Sequence, residues 1–143
     1  MLTLNDGDWY DYNGVNTFSS MAYESMAKFQ NKLGIPGNGI NSYYYQQTTP
    51  VYDLLFDIKY ILGTSNDYTR YKSINEENNL QEFKYTNGLI FGVKNELLNT
   101  YTEEQNPFAL QNEIMYNSTG INNIFTKSKY LKNEENRMLD CYS

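Results

Sequence analysis

The stretch PVYDLLFDIKYILG, from Pro50 to Gly63, restricts the fold of this chain more than any other. Proline at a first helical position costs nothing, because the N–H it lacks would have had no partner there, and Thr49 just before it supplies a capping hydroxyl. Val51, Leu54, Leu55 and Ile58 follow at helical steps of three and four and mark one buried face. KYIL then reads as a strand ended by Gly63, so the spacing predicts a capped helix passing into a buried strand. The run is too short for a membrane span, which takes about 18 or more consecutive apolar residues. Asp53 and Asp57 share a helical face as a possible carboxylate pair, although the helix dipole alone accounts for Asp53 near the first turn.

The rest of the chain has to supply the partners of that helix. At 143 residues, a single domain with its own core is expected. Apolar residues make up 40% and aromatic ones 16%, with mean hydropathy −0.69, so much of the core must come from Tyr and Phe in an otherwise polar, Asn-rich sequence. A net charge of −6 without a Lys/Arg block argues against nucleic acid and anionic membrane surfaces as partners. With one cysteine, Cys141, no internal disulfide forms. The absence of histidine excludes Ser-His-Asp and Cys-His nucleophile systems and His zinc sites. No cofactor and no metal site is expected, and catalysis would have to run on Asp, Glu, Tyr, Lys or Ser.

Along the chain, SSMAYESMAKFQNKLG predicts a helix capped by Ser19 or Ser20 and stopped by Gly34, with Ala22, Met26, Phe29 and Leu33 on one stripe. That stripe reads as core before it reads as a partner face. YYYQQ at 43–47 is a short aromatic strand. YTRYKSI, LQEFKYT and LIFGVKN suggest consecutive antiparallel strands, with turns at NEENN and at Asn87-Gly88. NPFALQNEIMYNSTG opens a further helix, with Asn106 as cap, Pro107 at the first position, Gly120 as stop and Phe108, Leu110, Ile114 and Met115 buried. The expected fold is α+β: a mixed or antiparallel sheet of about five strands with about three helices packed on it, core 5–125 and a charged tail 126–143.

Two clusters carry candidate chemistry. NDGDWYDY sets Asp6, Asp8 and Asp11 in a Gly-containing turn beside Trp9, Tyr10 and Tyr12; its spacing departs from an EF-hand because Tyr10 stands where an oxygen ligand belongs. A solvated loop is the plain reading. Trp9, Tyr10 and Tyr12, with Tyr43, Tyr44 and Tyr45, can stack on sugar rings, since flat apolar faces with polar rims suit carbohydrate and asparagine supplies directional hydrogen bonds. Alternate tyrosines of a strand, however, usually have one face in the core. Asn117-Ser118-Thr119 fits a glycosylation acceptor, a pattern that chance produces readily in so Asn-rich a chain.

In order, LNDGDWYDYNGVNTFSS, PVYDLLFDIKYILG, FKYTNGLIFGVKNELL and NPFALQNEIMYNSTG resemble successive blocks of the extracytoplasmic region of bacterial YfhO-like membrane proteins, over residues 5–125. The resemblance implies a parent with many membrane spans, similar to a type C glycosyltransferase that uses a lipid-phosphate sugar donor. Such parents glycosylate envelope polymers such as lipoteichoic acid in Gram-positive bacteria. On that expectation the chain is a soluble domain at the extracytoplasmic face of the cell membrane, not catalytic alone. Its partners would be the transmembrane part of the parent and an envelope glycan or lipid-linked sugar, contacted by Asp8, Trp9, Tyr10, Tyr12, Tyr43, Tyr44 and Tyr45. The alternative is an assembly module that packs on the transmembrane part or on a partner protein and touches no sugar.

Overall fold

Side-chain caps and a few asparagines decide where the elements of this chain start and how they are tied together. In a computed structural model, residues 3–46, 48–63, 69–88, 90–100, 106–128 and 141–142 are described. The helices are α1 (Asp6–Tyr10), α2 (Glu24–Lys32), α3 (Pro50–Leu55) and α4 (Pro107–Thr119), and the strands are β1 (Thr17–Phe18), β2 (Ser42–Tyr43), β3 (Tyr60–Leu62), β4 (Tyr71–Asn75), β5 (Leu80–Phe83), β6 (Lys127–Ser128) and β7 (Cys141–Tyr142). The class is α+β with every pairing antiparallel; β1 pairs with β2, β6 with β7, and β5 lies between β3 and β4. No helix among the described residues is long and apolar enough to cross a membrane.

Two compact units emerge, Met1–Gly92 and Val93–Ser143. In the first, Thr49 caps α3 as its sequence predicts, its hydroxyl accepting the Tyr52 amide at 3.1 Å. The helix is shorter than its apolar run. It ends at Leu55, Asp57 turns left-handed (φ 47°), and the Ile58 amide returns to the Asp53 carbonyl at 2.9 Å. This break rotates the buried face: Val51, Tyr52, Asp53 and Ile58 are buried, whereas Leu54 and Leu55 are only half-buried. It also separates the expected carboxylate pair. Asp57 receives the Asn87 and Gly88 amides at 3.1 and 3.0 Å, while Asp53 turns inward.

The same contact corrects the turn expected at Asn87-Gly88. Those amides are held by Asp57 and so do not close a hairpin, and residues 90–94 form no strand. The hairpin of this sheet forms at the other signal, where β4 reverses into β5 across 76–79 with Asn79 left-handed (φ 49°). KYIL does become β3, but as an edge strand with Tyr60 and Leu62 exposed, where a buried one was expected. The core of the sheet is the other side, where Tyr71 pairs with Phe83 in register and their ring centroids stand 5.3 Å apart.

Neither Ser19 nor Ser20 caps α2. The Ser19 hydroxyl accepts the Met21 amide at 3.1 Å, which turns the chain early, and the helix starts one turn later at Glu24. A Glu24–Lys28 ion pair at 2.7 Å spans its exposed side. Ala27, Gln30 and Leu33 form its buried face, with Phe29 half-buried and Met26 largely exposed. β2 is shorter than YYYQQ and ends at Tyr43. Gly37 approaches it so closely that a Cβ there would meet the Ser42 carbonyl at 2.3 Å and Tyr43 Cα at 2.9 Å.

In the second unit the caps of α4 are those expected. The Asn106 carboxamide accepts the Phe108 and Ala109 amides at 2.9 and 3.2 Å, and Gly120 takes the left-handed closing position (φ 86°). The Lys94 ammonium lies 2.6 Å from where a Cβ of Gly120 would sit, so a cation faces the negative end of the helix dipole. Leu110, Gln111 and Ile114 are buried, and Phe108 stacks edge-on against Phe125. The Asn117 amide donates to the Thr100 hydroxyl at 3.1 Å. Most of the expected tail, 129–140, lies outside the described residues.

Asparagine composition acquires a structural meaning here. The Asn5 carboxamide donates to the Phe18 carbonyl at 2.9 Å and accepts the Phe18 amide at 2.8 Å, as a neighbouring strand would. Asn112 does the same to Phe125, at 2.7 and 2.9 Å. Asn38 Oδ1 accepts the amides of Ile40, Asn41 and Ser42, shaping the loop that leads into β2. Buried or turning backbone needs partners, and these side chains provide them where the strands are too short to do so.

Candidate functional site

The aromatic residues singled out by the sequence fall into separate environments. NDGDWYDY is not an open turn but the one-turn helix α1, closed by Asp11 in the left-handed region (φ 56°) and by the Tyr12 amide bonding the Gly7 carbonyl at 3.0 Å. Its carboxylates diverge. Asp6 is buried and accepts the Thr3 amide and hydroxyl at 2.8 and 2.5 Å; the hydroxyl bond foremost holds its carboxyl below the usual range. Asp8 and Asp11 are exposed. Trp9 is 79% exposed and Tyr10 72% on the helix, and Tyr12 beyond its cap is 48% exposed, so all three rings face water.

Successive residues around β2 point to different places. Tyr43 is half-buried and borders an open cleft of about 330 Å³ together with Met26 of α2 and the 21–23 turn. Burial raises its phenol above the ordinary range. Tyr44, 41% exposed, borders another cleft, of about 500 Å³, with Asn31, Ile35, Pro36 and Asn38. Tyr45 turns inward, its amide donating to the Asn16 carboxamide at 2.5 Å and its hydroxyl reaching Asp53 Oδ1 at 2.9 Å.

Sequence reasoning did not see the polar centre that Tyr45 joins. Asp53 has no exposed surface. Besides Tyr45, its carboxylate meets the Thr48 hydroxyl at 2.6 Å, Arg70 at 3.0 Å and the Tyr71 hydroxyl, and the Tyr45 and Tyr71 hydroxyls lie 3.0 Å apart. Burial first, then the negative Asp53, pushes the Tyr45 phenol up to about 12. Burial, followed by donation to Asp53, raises Tyr71 as well, and burial raises Tyr52, whose hydroxyl donates to Gln30 at 2.8 Å. A carboxylate this enclosed meets no substrate. It joins Tyr45, Thr48, α3 and the start of β4 as a cluster of charge-assisted hydrogen bonds. In the sequence Asp53 carries only the helix-dipole signal of a first-turn carboxylate, which gives no sign of Arg70 and Tyr71 as its partners.

Chemically, the surface offers flat rings, neutral amides and hydroxyls. Among the described residues, no cluster of His, Cys, Asp and Glu could hold a metal ion.

The family model for the bacterial membrane protein YfhO matches residues 1–140. The chain belongs to the YfhO family. No curated protein and no solved structure matched it. Membership in a membrane-protein family fits a parent chain with spans that these described helices do not provide. In this YfhO-family chain the resemblance of the four sequence blocks thus extends to nearly the whole length.

Proposed function

We propose that this YfhO-family chain is an extracytoplasmic domain of a membrane glycosyltransferase-like protein that acts on a cell-envelope polymer of the teichoic acid type. It is not catalytic by itself and recognises acceptor or donor sugar beside the membrane-embedded site. The observation that supports this most is the exposure of Trp9 and Tyr10, 79% and 72%, side by side on α1. Asp8, Trp9, Tyr10 and Tyr12 would form one contact area, and Tyr43 and Tyr44 would line the clefts beside β2. Tyr45, whose hydroxyl is engaged by Asp53, would hold that segment in position. The test is binding of teichoic acid fragments to the chain and to a Trp9→Ala/Tyr10→Ala double variant. Loss of binding in a folded variant is the expected result, and unchanged affinity removes this contact area from the reading.

A different observation favours a second reading. Ile90 and Phe91, expected to be strand residues, are 93% and 43% exposed. In an assembly module these side chains would be covered by the transmembrane part of the parent. A photoreactive amino acid at position 90 of the full-length protein in membranes should then crosslink within the parent chain; absence of such a product counts against this face as the contact.

A further inference from the structure

The cleft bordered by Tyr43 is lined by uncharged side chains, one of which, Met26, covers a buried amide. Thr17 and its cross-strand partner Tyr43, Ser19, Met21 and Tyr23 of the turn that follows, and Met26 of α2 line it; no lining side chain is charged. An uncharged lining suits neither a phosphate nor a carboxylate ligand, both of which require cations or amide nests. Met21 and Tyr23 are 86% and 81% exposed, an unusual outlay of apolar surface for residues that pack on little.

Gln30, 1% exposed, lies behind Met26. Its Oε1 accepts the Tyr52 hydroxyl at 2.8 Å, and its Nε2 donates to Met26 Sδ at 3.9 Å, its one partner among the described residues. A thioether sulfur is a weak acceptor, so a buried amide donor is left under-used and is covered by a flexible, partly exposed side chain. A ligand oxygen arriving where the Met26 sulfur lies would be the better partner.

We propose that this cleft is a subsite for a single neutral sugar ring, with Met26 swinging aside so that a ligand hydroxyl takes the Gln30 amide. The faces of Tyr23 and Tyr43 suit the apolar face of a pyranose, and the hydroxyls of Thr17 and Ser19 suit its rim. A volume of about 330 Å³ is at the small end for ligand sites and favours one ring over an extended oligosaccharide. The proposal rests on the sugar-recognition reading above but concerns a place distinct from the Trp9 area.

The test is an NMR titration of the whole chain carrying methyl-labelled methionine, with methyl glycosides of glucose, galactose and N-acetylglucosamine as probes. Saturable shifts of the Met21 and Met26 methyls, with Met115 still, are expected for at least one probe. Tyr43→Phe, which keeps the ring face, should leave the spectrum folded and the binding within about twofold, whereas Tyr43→Ala should weaken it by roughly tenfold through the lost stacking surface. If the Trp9 indole responds while Met21 and Met26 do not, sugar recognition survives and this subsite is overturned. If neither responds at tens of millimolar probe, both are overturned. If the methionines respond but Tyr43→Ala and Gln30→Ala bind as well as the parent, the ligand uses neither this ring nor this amide and the proposal fails.

Discussion

Trp9, Tyr10 and Tyr12 on one side and Tyr45, Tyr52 and Tyr71 on the other are aromatic residues of similar size with opposite fates. Trp9 and Tyr10 ride on a one-turn helix whose buried contact is made by Asp6, Tyr12 follows its cap, and all three stand in solvent. The second three lie within reach of a buried carboxylate or amide and are drawn in, because each hydroxyl finds a partner at Asp53 or Gln30. The difference lies in the availability of buried acceptors. A tyrosine is buried cheaply only where its hydroxyl is satisfied. The rings of Trp9, Tyr10 and Tyr12 have no such acceptor beside them among the described residues and remain at the surface.

The strongest way to break this comparison is to remove the acceptor. Asp53→Ala strands the donors of Tyr45, Thr48, Arg70 and Tyr71 and should cost about 3–5 kcal/mol, read as a lower denaturant midpoint or as failure to fold. Tyr71→Phe removes one hydroxyl from the same carboxylate and should cost about 1.5–3 kcal/mol with the ring packing on Phe83 retained. A loss no larger than for a surface substitution would show that the cluster contributes little.

Alkaline titration sharpens the contrast without mutation. An unfolded tyrosine ionises near pH 10, while Tyr45 keeps its proton up to about 12. Between those values the unfolded chain has released protons that the folded chain still holds. Stability from this group is therefore full below about pH 10 and falls as pH rises toward 12. Urea midpoints measured across that window should fall, and less steeply in Tyr45→Phe. The smallest effect is expected at the surface: Trp9→Ala should change stability by less than about 0.5 kcal/mol, since its ring is exposed.

Elements announced by caps were legible in the sequence. Thr49-Pro50 and Asn106-Pro107 with Gly120 mark α3 and α4 because each signal acts on its nearest neighbours. The cap expected at Ser19 or Ser20 failed locally, since the Ser19 hydroxyl turns back to the Met21 amide, and the other misses depended on distant partners. Asn87-Gly88 carries a strong hairpin signal, yet Asp57, some thirty residues earlier, takes its amides. Asp53 looked like a helix-dipole residue, and only the arrival of Arg70 and Tyr71 from β4 makes it a core residue. Helical periodicity ranked Leu54 and Leu55 above Tyr52 because it counts apolarity and ignores hydrogen bonding. At the candidate site, the aromatic residues were visible; which of them the core would consume was not.

The central claim is that the rings left out of the core form a recognition surface. The chain has a single tryptophan, so the emission of Trp9 during titration with teichoic acid fragments reports on that surface alone. A saturable change, retained in Tyr71→Phe and lost in Tyr10→Ala, is the predicted result. Emission that stays constant to millimolar fragment, in a chain shown to be folded, would contradict the claim.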